Sequence, residues 1–332
     1  MDKTCRTYNG FDINGLGFKK DGRGNIAPVT IILPTLAMEA KEKVEELTKL
    51  SNSAISKIDC IEEFMRLLDV KIHEAKDMLI ERYKLICSQP ASAAKFMYDN
   101  NTMAGYIPEE GIESAMKHGT LAIGQLGLAE TLQALIGCDQ TTSDGMGLAK
   151  CIEELFNKRC KEFKNEYHLN FGVYYTPAES LCGTALNKFR EKYGIIPNVS
   201  DHDFFTNSIH VPVWKEMSPF DKIDIESQLT GYSNAGCITY TELPSGVKNN
   251  IKALEELVNY AMDKDIPYFA INVPNDICLD CGYSDEMNDA CPQCGGENIQ
   301  QLRRVTGYLS TTWKHFNHAK QEEVKARVKH AH

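Results

Sequence analysis

Positive charge is scarce in this chain of 332 residues: 36 lysines and arginines face 46 aspartates and glutamates, a formal net charge of −10. A surface that grips nucleic acid needs clustered positive charge, so direct nucleic-acid binding is not expected. There is no apolar run long enough to span a bilayer and no secretory leader, so neither a membrane nor export is expected. Internal repeats and low-complexity segments are also missing, and no linker is evident before Pro274. What remains is ordinary globular composition, long enough to bury one large core or two modest ones.

Cysteine is what the chain has in plenty. Twelve of them in a leaderless sequence fit a reducing cytoplasm. Four stand as Cys278-Leu-Asp-Cys281 and Cys291-Pro-Gln-Cys294, each pair followed by glycine at Gly282 and Gly295-Gly296. Two such knuckles can close a tetrahedral shell of four thiolates around a structural zinc. Two disulfides are the alternative. The remaining cysteines (Cys5, Cys60, Cys87, Cys138, Cys151, Cys160, Cys182 and Cys237) are scattered, and most are expected to be small buried side chains.

Strand and helix patterns alternate along the middle of the chain. Residues 1–28 are polar and glycine-rich and read as a loop. Strands are expected at 29–33, stopped by Pro34, and at 121–127, 170–175, 237–242 and 268–273, with an edge piece at 210–214. Helices are expected at 36–50, 59–87, 128–136, 148–167, 179–193, 247–262 and 319–330, with a glycine-rich turn at 141–147 and a loop-like stretch after position 307 as far as Asn317. The segment Thr176-Pro177-Ala178-Glu179 has the form of a capping box for the helix that follows. Helices between strands mean parallel crossovers, hence an α/β fold.

Near the C-terminus the chain reads Arg303-Arg304-Val305-Thr306-Gly307-Tyr308, just downstream of the paired cysteines. This run resembles the loop of glycyl radical enzymes. With the four cysteines it resembles the end of anaerobic (class III) ribonucleotide reductases. A glycine suits the task because its α-carbon has no side chain, and a radical there flattens and spreads onto the amide nitrogen and the carbonyl. The opening, Thr4-Cys5-Arg6-Thr7 followed by Gly22-Arg23-Gly24-Asn25, is similar to the finger loop of the same family. A turn glycine and a surface thiol are the plain readings of Gly307 and Cys5 taken alone.

The resemblance covers Cys5 to His330 and implies the second five-stranded half of a ten-stranded barrel. Three segments follow: a finger loop with the thiyl cysteine at 1–28, a half-barrel at 29–273, and a zinc-binding and glycyl radical domain at 274–332. It implies that an iron–sulfur, S-adenosylmethionine-dependent activating enzyme installs the radical on Gly307. Cys5 then becomes the thiyl radical that attacks the 3′-hydrogen of a ribonucleoside triphosphate. Thr7 stands where aerobic relatives place a glutamate, which points to formate as the reductant. Zinc, bound by Cys278, Cys281, Cys291 and Cys294, is expected to be structural, since four thiolates leave no open position.

Substrate contacts are expected from Asn25 and from the helix start formed by Thr176, Ala178, Glu179, Ser180, Leu181 and Cys182, since helix N-termini bind phosphate. A loop-capping role competes for Asn25, and a capping role for Glu179. The tail bases Arg303, Arg304, Lys325, Arg327 and Lys329 are expected to brace loops or face solvent. A half-barrel exposes sheet edges, so a companion chain carrying the first half is expected, as is a homo-oligomer. Two other functions stay open: a glycyl radical enzyme of the acyltransferase or dehydratase type, and an inactive truncated zinc-ribbon module.

Overall fold

The computed structural model describes residues 9–51, 56–305 and 308–330. Cys5 and Gly307 therefore lie outside the described residues. The chain forms two compact units, Met1–Thr176 with Gly231–Cys237, and Pro177–Thr230 with Ile238–His332.

The first unit is built on three parallel strands in the order β1 (Asn25–Ile32), β2 (Thr120–Leu126) and β3 (Asn170–Tyr175). Every residue of β2 and β3 is buried, as a parallel sheet covered on both faces requires. Between β1 and β2 come α1 (Leu33–Ser51), α2 (Lys57–Cys87) and the short α3 (Lys95–Asp99) and α4 (Glu113–Met116). The crossover from β2 to β3 carries α5 (Leu128–Ile136) and α6 (Ser143–Tyr167). Gly124 in β2 is required by close packing, because a Cβ there would stand 2.0 Å from the Thr176 hydroxyl.

Three boundaries depart from the sequence reading. β1 begins at Asn25, inside the segment 1–28 read as a loop, and pairs with β2 from its first residue. Pro34 does not simply stop a strand; it sits in the first turn of α1, where a missing N–H costs nothing. Helix α6 begins inside the expected turn at 141–147. Thr142 caps it by accepting the Gly145 N–H at 3.1 Å. Gly145 belongs to this first turn because a Cβ would come 1.9 Å from the Asp139 carbonyl.

Glu153 on α6 is fully buried beneath the ends of β2 and β3. The Gln125 amide and the Tyr175 hydroxyl donate to its carboxylate, the latter at 3.1 Å. Burial outweighs both donors and pushes the carboxyl up to about 8. The folded state thus holds this proton more tightly than the unfolded chain. The stability it contributes is complete below about pH 4.5 and is lost as pH rises toward 8. Glu153→Gln is expected to remove roughly 3 kcal/mol of that decline between pH 5.5 and 8. Urea midpoints of both proteins at the two pH values check it, and parallel pH profiles would contradict it.

The second unit begins with α7 (Leu181–Tyr193) and α8 (Pro219–Thr230). The parallel pair β4 (Thr239–Glu242) and β5 (Phe269–Asn272) is joined by α9 (Ile251–Asp263). An antiparallel sheet follows in the order β7-β6-β8-β9, from β6 (Asn275–Cys278), β7 (Ser284–Asp285), β8 (Ile299–Val305) and β9 (Tyr308–Ser310). The last element is α10 (His318–Ala326).

Four expectations are corrected here. The capping box is not formed: α7 starts at Leu181, with Ser180 at its cap and no side-chain cap bond. In the first unit the Thr176 hydroxyl is occupied by the Thr30 hydroxyl, 2.9 Å away. Residues 210–214 form no strand; the Val211 N–H donates instead to Glu226 at 3.1 Å, and Pro212 has none to give. The chain after position 307 is not loop-like throughout, because β9 pairs back on β8. The final helix is shorter than expected, and Arg327 leaves it in extended conformation.

Candidate functional site

The two knuckles are built alike. In each, the glycine N–H returns to the first cysteine's carbonyl at 2.8 Å, from Gly282 to Cys278 and from Gly295 to Cys291. Both glycines have positive φ, +78° and +74°, a region that a side chain resists. The first cysteine N–H then donates at 2.8 Å to Tyr283 O in one knuckle and Gly296 O in the other. Each turn therefore aims two thiols toward the same point.

The four sulfurs lie within 4.8 Å of one another. Cys278 Sγ is 3.5 Å from Cys294 Sγ, and Cys281 Sγ is 3.7 Å from Cys291 Sγ. A tetrahedral ion with metal–sulfur bonds of about 2.3 Å sets its ligands roughly 3.8 Å apart. The residues thus fit a zinc ion, and disulfides are set aside because sulfurs bonded to each other stand about 2.05 Å apart. Gly296 N–H also points at Cys294 Sγ, 3.4 Å away, a donor suited to thiolate. Burial raises the Cys291 thiol, but the N–H groups of Cys294 and Gln293 outweigh it and bring the thiol down to about 7. Beneath the cluster the apolar packing is small: Met287, Tyr283 and Ile299.

From this cluster β8 runs away from the knuckles. Its first residue, Ile299, pairs with Cys278, and its last, Val305, pairs with Tyr308 of β9. Positions 306 and 307 connect Val305 to Tyr308 and lie outside the described residues. Val305 is fully buried. Buried Asp276 on β6 holds Arg303 through both carboxylate oxygens, Nη2 at 3.0 Å, and also accepts the Met287 N–H at 2.9 Å. Trp313 donates to Gln301 at 2.9 Å. The tail bases are ion-paired: Arg327 with Glu323 at 2.9 Å, Lys325 with Glu322 at 2.6 Å, and Lys329 with Glu286. They brace the fold, as expected. The residues that sequence reading missed here are Asp276 and Glu242, whose spacing from the bases they hold carries no local signal, and Glu323, whose i,i+4 spacing from Arg327 is the signal that could have found it.

Residues 1–330 match the family described as anaerobic ribonucleoside-triphosphate reductase. The chain belongs to that family. The anaerobic ribonucleoside-triphosphate reductase of Escherichia coli (strain K12) is 32% identical over 341 residues, 98% of this chain and 45% of that protein. That of Enterobacteria phage T4 is 30% identical over 322 residues, covering 93% and 49%. A solved anaerobic ribonucleotide reductase superposes with a TM-score of 0.74 at 18% identity, covering 94% of this chain and 46% of that one, a likeness of fold. The chain spans about half the length of the curated relatives it matches. Membership of the anaerobic ribonucleoside-triphosphate reductase family sets aside the acyltransferase and dehydratase alternative.

Within this member of the anaerobic ribonucleoside-triphosphate reductase family the remaining candidates fall as follows. Asn25 is fully buried at the start of β1; its Nδ2 donates to Ala235 O at 3.0 Å, and its Oδ1 has no hydrogen-bond partner among the described residues. Thr176 follows the opposite, C-terminal end of β3, so these two do not meet. Ala178 is buried, Glu179 partly so and Ser180 exposed, all just ahead of α7. Leu181 is its first residue, and Cys182 is buried with its thiol 3.1 Å from the Glu179 carbonyl. Burial pushes that thiol up, so it is not poised as a nucleophile. Among the described residues no helix is long and apolar enough to cross a membrane.

Proposed function

We propose that this chain forms the radical-bearing part of an enzyme that reduces ribonucleoside triphosphates to deoxyribonucleoside triphosphates without oxygen. Family membership over residues 1–330, in a chain that has cysteine at 5 and glycine at 307, carries the reading. Gly307 stores the unpaired electron after an iron–sulfur, S-adenosylmethionine-dependent enzyme removes one α-hydrogen. Cys5 gives its hydrogen to that carbon and, as a thiyl radical, takes the 3′-hydrogen of the ribose. Water leaves from C2′, and formate supplies the reducing electrons, a reading supported by Thr7 in place of a glutamate. Such intermediates need an enclosed, dry site.

Zinc at Cys278, Cys281, Cys291 and Cys294 takes no part in the chemistry in this proposal; it holds the ribbon from which β8 extends. Ala178, Glu179, Ser180, Leu181 and Cys182 are proposed to receive the triphosphate at the start of α7, because helix N-termini favour phosphate and no side chain caps this one; the Cys182 N–H is itself engaged by the Ala178 carbonyl at 2.9 Å. Thr176 and Asn25, which lie at opposite ends of the three-stranded sheet, are proposed as alternative further substrate contacts; the buried Asn25 Oδ1, without a hydrogen-bond partner among the described residues, supports the second. Because the chain spans about half the length of its relatives, activity is proposed to require the remainder of that length, and a homo-oligomeric, cytoplasmic enzyme is expected.

Cys5→Ala separates the two roles. Activated anaerobically together with the rest of the reductase, it is expected to form the glycyl radical at wild-type yield and to make no deoxynucleotide. Turnover by this variant would contradict the assignment.

A further inference from the structure

The end of the chain is tied to the strand that leads to position 307. After α10 closes at Ala326, Arg327 turns extended. Val328 N–H donates to Val213 O at 3.0 Å, and His330 N–H to Glu242 O at 2.7 Å. The Glu242 N–H returns to His330 Nδ1 at 2.9 Å. Burial drives the His330 imidazole down to about 4, so this nitrogen stays a neutral acceptor through the physiological range.

Arg327 is the centre of this strap. Its Nη1 donates to the Arg304 carbonyl at 2.8 Å and stands 2.8 Å from Glu242 Oε1; its Nη2 donates to Glu323 at 2.9 Å. Glu323 is almost completely buried; Lys320 and Arg327 hold it ionised, down to about 2, against the pull of burial. One guanidinium thus joins α10, the end of β4 and the backbone of β8. The reason it reaches β8 is in the register. β6 pairs with β8 only as far as Leu302, opposite Asn275. Past that point no strand among the described residues pairs with β8 on the β6 side, and Arg327 donates to the Arg304 carbonyl.

We infer that Arg327 is a positioning residue for the paired strands β8 and β9 on either side of Gly307: it fixes the Arg304 carbonyl, three residues before that glycine in sequence, to Glu242 and Glu323. This rests on the proposed role of Gly307. A lysine keeps the charge that Glu242 and Glu323 require but lacks the fork that reaches three acceptors at once. Arg327→Lys is therefore the variant that keeps the unit folded, and Arg327→Ala the more severe one.

Two measurements test the inference. Hydrogen–deuterium exchange of the unactivated chain is expected to show the peptide spanning positions 303–310 exchanging at least tenfold faster in Arg327→Lys, with zinc content and the knuckle peptides unchanged. Electron paramagnetic resonance of the activated, complete reductase is expected to show at least a fivefold lower radical yield in Arg327→Lys, and lower still in Arg327→Ala. Wild-type exchange and wild-type yield in Arg327→Lys would overturn the positioning role while leaving the radical assignment intact. Absence of any Gly307-dependent signal in the wild-type protein would instead overturn the radical assignment, and this inference with it. If Arg327→Ala does not fold, Arg327→Lys alone decides.

Discussion

Gly307→Ala is expected to abolish deoxynucleotide formation, with a loss of at least 10⁴-fold, while zinc content and thermal unfolding stay at wild-type values. The size follows from the chemistry proposed. Radical catalysis has no parallel route when the electron cannot be stored, so the loss is set by the assay floor rather than by a fraction of binding energy. Glycine is required for two physical reasons. Its radical is planar and shared between amide nitrogen and carbonyl, whereas a methyl group crowds that planarity. The bare α-carbon can also approach a second group closely. A companion result sharpens it. Air admitted to the activated wild-type protein is expected to cleave the chain at position 307, and Gly307→Ala is expected to survive whole under the same treatment. Mass spectrometry of the fragments reads this directly. Cleavage elsewhere, or an active alanine variant, would place the radical on another residue.

Removing zinc is expected to have the next largest effect. The ribbon around the knuckles has a small apolar core of Cys278, Met287, Cys291, Tyr283 and Ile299. Burial of that size cannot offset the entropy of ordering two turns and four strands. Metal binding at comparable sites contributes on the order of 10–16 kcal/mol. Chelation, or Cys291→Ser, is therefore expected to unfold β6 to β9 locally. The radical yield should fall at least tenfold, since β8 would no longer be anchored at Ile299. Zinc analysis, limited proteolysis within 274–310 and spin counting together check it. A chain stripped of zinc that still resists proteolysis there and forms the radical would show that the metal is dispensable. The buried Asp276–Arg303 pair, with no exposed surface on the aspartate side chain, is the second anchor of the same strand. It is not expected to hold the ribbon alone, because it binds β6 to β8 and leaves the knuckles untied.

The parts of this molecule that could be read from sequence are those whose cause is local. The knuckles were legible because the cysteine spacing and the following glycines impose the turn by themselves, and the sulfurs do converge. Strand β3 fell where its run of aromatic and β-branched residues placed it, and helix α5 fell between two glycines, Gly127 and Gly137, that bound its apolar run. The capping box failed because the Thr176 hydroxyl is engaged by Thr30, a residue 146 positions away, which no local pattern announces. Helix α6 began early because Gly145 and Gly147 looked like a turn, whereas Gly145 is there for its approach to Asp139 O. Strand β8 was hidden by its composition, Ile-Gln-Gln-Leu-Arg-Arg-Val, half-buried and without clear alternation. Helix α8 was hidden because Lys222 and Glu226 look like surface charges yet are buried against each other. The strap at Arg327 is of the same kind: its meaning lies in three partners drawn from Glu242, Arg304 and Glu323. The alternation of strands and helices conveyed an α/β fold, and the fold is shared with solved anaerobic ribonucleotide reductases.

The most direct test is electron paramagnetic resonance of the anaerobically activated protein grown once on ordinary glycine and once on glycine deuterated at the α-carbon. A doublet from one α-hydrogen at Gly307 is expected, collapsing toward a single line on deuteration and lacking altogether in Gly307→Ala. A spectrum that ignores the label, or a doublet that persists in the alanine variant, would contradict the radical assignment.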